Sequence, residues 1–515
     1  MSSKPSRKLP AFKPYDQHQL MAFPPTFEEL LPENHPARVV DQVINSIKIQ
    51  PLLKAYSQLG ASNYHPQCLL KVLVYAYVTN IYSSRKISQA CRENVAFMWL
   101  SGMNRPDHNT INRFRGVRLK KILQKVFNEI VMLLAKEGLL SIEEVYTDGT
   151  KIEANANRYS FVWKNSILRN KEKMKQQLAE IWKYAQHIAT EEDNLPPEPP
   201  TNQKIDQQRI KQTVDKLNEV LGKKDAVDSG TKNKLRHITK TYPARIEKYE
   251  EQEAILENRG SYSKTDTDAT FMRMKDDHSG KGTLKPGYNV QISTSNQYIV
   301  NYSIHPNPTD TLTLIPHIEL HGQRFGKLPK SVTADAGYGS QENYEFLLIN
   351  SINPFVKYNM FDLDQRGPVG RGLFHSSELS YDHKKDEFTC PSGQPMKFIG
   401  TREQETSSGY RQTTRHYRTE GCSTCEMHGS CRIPTVDRVV SLNPQLEAYK
   451  RTATELLNSD QGRAHRKKRC YDVESVFGNI KKNHGFKRFM LRGKQKVEIE
   501  MGLLAIAQNI RKKAA

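Results

Sequence analysis

Long apolar runs are missing from this sequence, and its mean hydropathy of −0.70 agrees, so no membrane-spanning helix is expected. The opening stretch, MSSKPSRKLPAFKPYDQ, is basic but lacks the apolar segment of a secretory signal. Cysteine is scarce, with seven in 515 residues, which excludes a secreted disulfide scaffold and points to a reducing cytoplasm. Acid is short as well: 56 Asp and Glu face 77 Lys and Arg, leaving a net charge of +21. A chain so basic repels itself and attracts polyanions, which makes nucleic acid the first partner to expect.

What is present falls into blocks. Residues 1–140 read as a helical N-terminal DNA-binding domain, because VVDQVI, LLKVLVYAYVT and RLKKILQKVFNEIVMLLAKEGL repeat apolar residues at helical spacing. Between them RPDHNTINRFRGVR joins a Pro-Asp turn to a basic stretch containing Arg113, Arg115 and Arg118. Residues 141–158 and 262–360 carry strand signals: a first strand through Asp148, a hairpin of GYNVQISTS and YIVNYSIH turning at Ser295–Asn296, then strands in KSVTADAG and PFVKYN separated by helices. Residues 159–261 read as a charged helical or coiled-coil insertion, with Ile167, Met174, Leu178 and Ile181, then Ile210, Val214 and Leu217, at helical spacing. Residues 361–460 form a Cys-rich insertion, and 461–515 supply two closing helices. With both insertions set aside, the order is strand, strand, strand, helix, strand, helix, strand, helix. That predicts a multidomain α/β protein with a ribonuclease H-like mixed sheet.

Three acids stand at telling places in this order. Asp148 is expected at the end of the first strand and Asp335 at the end of the fourth, where Gly337 and Gly339 let the backbone turn away. Glu474 lies on a helix whose buried stripe is Val473, Val476, Phe477 and Ile480; Gly478 and Lys481 share its adjacent face. Carboxylates so placed suit two divalent cations about 4 Å apart at a phosphodiester. Lys481, two turns beyond Glu474, would meet a phosphate as a point charge. Asp266 and Asp268 are read as turn or capping residues.

The segments LLPENHPARVVDQVI, MWLSGMNRPDHNTINRFR, YTDGTKIEANAN, TDTDATFMRMK, KPGYNVQIS, VTADAGYGSQENYEFL and VESVFGNIKKNHGFKRF together resemble the DDE transposases of bacterial insertion sequences. The resemblance covers nearly the whole chain. It implies a nuclease and strand transferase with Asp148, Asp335 and Glu474 as the metal-binding triad, two Mg²⁺ or Mn²⁺ ions per site, and Lys481 beside them. It further implies double-stranded DNA partners, both the element's inverted-repeat ends and the target, with a homodimer in the active complex of a nucleoid-associated cytoplasmic protein. Related chains place Tyr and Arg seven and four residues before the glutamate; here those positions hold Lys467 and Cys470, and Arg469 is one residue off.

Cys422 and Cys425 have knuckle spacing, Cys431 follows, and Cys390 opens a Cys-Pro-Ser-Gly turn, so the four are candidate ligands of a structural Zn²⁺ in a small zinc-ribbon-like insertion. Gly393 occupies the place of a second knuckle cysteine, and His428 is a substitute ligand. Cys68, Cys91 and Cys470 are expected to be ordinary thiols. Arg463, Arg466, Lys467, Lys468 and Arg469 precede Glu474, while Lys482, Lys487, Arg488, Arg492, Lys494 and Lys496 follow it, a candidate DNA track. Two other readings compete: a ribonuclease H-like nuclease or resolvase without strand transfer, and a non-catalytic DNA-binding protein derived from a transposase. The large N-terminal domain and two insertions speak against the first, and the three acids against the second.

Overall fold

Strands form where the sequence alternates or runs β-branched, and they follow in chain order as β1 (Glu144–Glu153), β2 (Phe161–Trp163), β3 (Ser261–Ser263), β4 (Thr270–Arg273), β5 (Leu284–Ser295), β6 (Tyr298–His305), β7 (Ser331–Ala334) and β8 (Asn353–Val356). This is a computed structural model, and it describes residues 25–48, 50–53, 63–190, 193, 195–222, 227–274, 282–366, 374–427, 431 and 437–515. The basic opening stretch and His428 lie outside them.

Six strands make one sheet in the order β6-β5-β1-β7-β8, with β4 pairing the first residues of β5 on the same edge as β6. β1 runs antiparallel to β5 but parallel to β7, and β7 runs parallel to β8. The chain is therefore mixed α/β, with the expected alternation of helices Leu314–Phe325 and Gln341–Ile349 between the parallel strands. The β5–β6 hairpin closes through Asn296 and Gln297, both at positive φ (53° and 66°), as a two-residue turn with the strands' own twist requires. It sits one residue later than expected.

Helix Asp460–Gly478 crosses β1, β5, β7 and β8, burying Val473, Val476 and Phe477; Ile480, just beyond its end, is buried as well. The C-terminal helix Lys494–Ala514 lies on β6 and against helices Pro66–Val78 and Leu123–Lys136. Gly502 permits that approach: a Cβ there would sit 2.5 Å from the Tyr302 hydroxyl and 2.8 Å from Leu123. One apolar core thus runs from Leu31 through the sheet to Ile510. At its seam Glu500 is fully buried and accepts from the Met490 and Leu491 amides (2.9 and 3.0 Å), with the Tyr77 hydroxyl at 3.4 Å. Arg115 donates to Tyr77 Oη (3.2 Å) and to the Tyr82 carbonyl (2.8 Å). Only 3% exposed, Arg115 belongs to this seam and not to a surface patch; Arg113 stays exposed.

The first insertion leaves through the antiparallel pair β2–β3, and its described residues form the α-helices Lys164–Ile188, Gln207–Leu221 and Ser229–Leu256. They share a core of their own that includes Leu178, Ile181, Leu217, Leu235 and Ile246. The third helix carries Pro243 in its interior, and a proline there reads in a sequence as a break. The second insertion is a meander of β9 (Ser380–Asp382), β10 (Glu387–Thr389), β11 (Pro395–Glu405), β12 (Arg411–Arg418) and β13 (Val439–Leu442), closed over Phe388, Met396, Tyr417 and Val440. No helix among the described residues is long and apolar enough to cross a membrane.

Candidate active site

β1 is longer than β7, and that mismatch makes the cleft. β7 pairs with only the first three residues of β1, Glu144 to Tyr146, while β5 follows β1 to Glu153. Asp148 therefore lies inside β1 and not at its end, at the point where the strand has lost its β7 neighbour. Asp335 follows β7 directly and caps a short turn, its Oδ1 accepting from the Gly337 amide at 2.9 Å. Gly339 is needed there for closeness, not for an unusual φ: a Cβ would lie 2.4 Å from the Lys357 carbonyl oxygen.

Glu474 approaches from helix Asp460–Gly478, which the buried Asp472 fastens to the hairpin by accepting from Thr294 Oγ1 (2.7 Å) and the Gln297 amide (2.9 Å). Arg469 on the same helix joins the two sides. Its Nη2 is 3.0 Å from Glu474 Oε1 and its Nη1 is 3.9 Å from Asp148 Oδ2. Lys481 lies just past the helix, in the π-turn Asn479–Asn483, and lines a cavity of about 370 Å³ with Gly149, Asn289, Asp310 and Gly337. A Cβ on Gly478 would meet nothing within 4 Å, so the face between Glu474 and Lys481 is open.

A fourth acid enters this cleft. Asp310 Oδ1 accepts from Asn289 Nδ2 (2.7 Å) and Gln291 Nε2 (2.9 Å), both projecting from β5. The buried Tyr338 hydroxyl in turn donates to Gln291 Oε1. A side chain at position 149 would collide with this group, since a Cβ would fall 2.4 Å from Gln291 Nε2 and 2.5 Å from Asp310 Oδ1. Sequence reasoning passed over Asp310 because in NPTDTLT it looks like an ordinary turn acid before a helix, and its carbonyl does accept from Thr313.

Burial pushes Asp148 up to about 7; Asp335 and, more weakly, Asp310 add to the shift, while Arg469 opposes it. The cleft thus gathers carboxylate and amide oxygens, the kind of donor that suits a hard divalent ion. Among the described residues no three His, Cys, Asp or Glu side chains are close enough to share an ion. The Arg469 guanidinium stands between two of the carboxylates, Asp148 and Glu474.

The other sequence candidates divide. Asp266 accepts from the Tyr288 hydroxyl (2.9 Å) and the Gly493 amide (3.3 Å), and Asp268 accepts from the Lys494 amide (2.8 Å), so both serve the start of the C-terminal helix. Arg488 and Arg492, expected on the DNA track, also donate through Nε to the carbonyls of Ala154 and Asn155, strapping the 485–493 loop onto the end of β1. Cys390, Cys422, Cys425 and Cys431 line one cavity of about 490 Å³ and are free thiols. The Arg438 amide donates to Cys422 Sγ (3.4 Å) and its Nη1 to Cys431 Sγ (3.2 Å). Cys91 is buried and pushed up to about 12, as an unreactive core thiol should be.

Two segments match known family models. Residues 389–514 match the Transposase DDE domain, and residues 25–116 match the Transposase domain (DUF772). The first covers the thiols, Arg469, Glu474 and Lys481; Asp148 and Asp335 lie between the two matched segments. Neither the curated proteins nor the solved structures gave a match.

Proposed function

From an insertion-sequence DDE transposase, which the two matched segments indicate, we propose a specific enzyme: one that binds the ends of its own element, nicks them hydrolytically, and joins the freed 3′-hydroxyl to target DNA. Asp148, Asp335 and Glu474 are its metal-binding acids. The observation that carries this reading is the convergence of β1, the end of β7 and helix Asp460–Gly478 on one cleft, with Arg469 reaching both Asp148 and Glu474. The strand order, with β1 antiparallel to β5 and parallel to β7, supports a ribonuclease H-like core.

Two divalent ions held there would activate water and stabilise the charge on the phosphate under attack. The chain's own residues do the rest. Asp148 and Asp335 fix the floor of the cleft, and Glu474 closes it from the helix. Lys481 holds the substrate strand by a phosphate beside the open face at Gly478. Arg463, Lys467 and Lys468, earlier on the same helix, extend the phosphate track, which positions DNA without reading its sequence. The active complex is a dimer that pairs two element ends.

The test is the cation requirement. Binding of an end-containing duplex should persist in Ca²⁺ and weaken steeply with salt, while cleavage should need Mg²⁺ or Mn²⁺. Robust cleavage in excess chelator would remove the metal mechanism.

A second reading concerns the four thiols. Cys390 at the β10–β11 turn, the Cys422–Cys425 knuckle and Cys431 surround one cavity, and N–H groups of Arg438 already point at two of the sulfurs. These features support a structural Zn²⁺ that would draw the thiolates inward and order the second insertion.

A further inference from the structure

Arg469 takes an unusual position for a basic residue on a DNA-binding helix. Its side chain is only 16% exposed and faces the acids instead of solvent. Nη2 donates to Glu474 at 3.0 Å, whereas Nη1 lies 3.9 Å from Asp148, too far for a hydrogen bond, and is buried with no hydrogen-bond partner. The guanidinium therefore satisfies neither carboxylate fully. It spans the gap between an acid on β1 and an acid on the crossing helix.

We propose that Arg469 is a built-in counter-cation, a positioning residue that holds Asp148 and Glu474 across the cleft and must give way when a divalent ion binds between them. The inference rests on the assignment of those two acids as metal ligands. A guanidinium and a coordinated ion cannot share one space, and an ion with two charges and direct oxygen contacts outcompetes a cation held on one side by a 3.9 Å approach. Displacement needs no movement of the helix. Arg469 and Glu474 are five residues apart on it, and arginine has enough rotatable bonds to swing clear while Glu474 stays in place. The arrangement keeps the two elements in register before metal arrives, at the cost of a competitor already in the site.

The experiment is a Mn²⁺ titration of the full-length, DNA-free protein, with free ion followed by electron paramagnetic resonance. Arg469→Gln should bind Mn²⁺ roughly three- to tenfold more tightly than wild type, as the loss of one partly exposed competing cation allows. Arg469→Lys keeps the charge but cannot span both acids, so it should show a smaller gain; it also serves if the Gln variant does not fold by circular dichroism. Unchanged or weaker Mn²⁺ affinity in a folded variant would overturn the proposal. Wild type that binds no Mn²⁺ at millimolar concentration would overturn instead the assignment of the acids on which it rests.

Discussion

Asp148 and Asp335 stand level with each other in the sheet: β1 and β7 pair Tyr146 with Thr333 in parallel register, and each acid lies two residues further along its own segment. The long stretch of chain between them, with a whole helical insertion, is folded out of the way through β2 and β3. Neighbouring parallel strands deliver two carboxylates to the same edge, and the crossing helix supplies Glu474 from above.

Asp310 belongs to this group by its place: it lines the Lys481 cavity with Gly149 and Gly337, and its charge helps to raise Asp148. Asp310→Asn keeps the shape and one acceptor oxygen but removes the charge beside Asp148. It should lower cleavage about 10- to 100-fold, the range seen when groups supporting metal ligands are changed. End binding, measured by gel shift in Ca²⁺, should not move. Full cleavage activity in this variant would make Asp310 a structural acceptor for Asn289 and Gln291 and nothing more.

The thiol cavity makes a chemical prediction of its own. Purified protein should carry about one zinc per chain by elemental analysis, because closed four-ligand sites hold the ion tightly. Cys422→Ser combined with Cys425→Ser should lose it and should expose the second insertion to protease. Zinc content and digestion pattern identical to wild type would dismiss the site.

How much of this was legible in the sequence differs by element. The strand signals of β1, β5 and β6 and the apolar stripe around Glu474 read directly, because β-branched runs and helical spacing are local, although β5 and β6 are buried on both faces and not on one. Asp310 and Arg469 did not. Asp310 sits in a proline-rich turn where an acid is ordinary, and only the absence of a side chain at Gly149 brings it to the cleft. Arg469 looked like one of a run of bases, and which base turns inward depends on where the helix crosses β1. The same limit hid Arg115, whose burial comes from Tyr77 and Glu500, residues far away in the chain. Spacing predicts faces of elements; it does not predict which distant partner meets them.

Acid should weaken the fold through the histidines behind the sheet. His317 is fully buried between Ser293 Oγ (2.8 Å) and Ser303 Oγ (2.7 Å), and burial holds its pKa well below the usual value. Burial likewise lowers His305 and His321 to about 4. A histidine depressed in the folded state contributes stability above its unfolded pKa near 6.5, and that contribution drains as pH falls from there toward the folded value. At pH 5 the loss is about 1–2 kcal/mol per histidine. Thermal melts of wild type and His321→Gln between pH 7.5 and 5 should show a steeper decline in wild type, the difference isolating the histidine from the raised carboxylates. Parallel curves would contradict the assignment.

The most direct test of the central claim is single-turnover cleavage of a duplex carrying the element's end, in Mg²⁺, by wild type and by Asp148→Asn, Asp335→Asn and Glu474→Gln. Each variant should bind the duplex as wild type does in Ca²⁺, since it loses a metal ligand and not the phosphate track. Each should also cut at least about 1,000-fold more slowly, because removing an oxygen ligand disables ion-assisted attack. A folded variant of any one of the three that still cuts at the wild-type rate would show that its carboxylate is not a metal ligand, and the active site would have to be sought elsewhere in the chain.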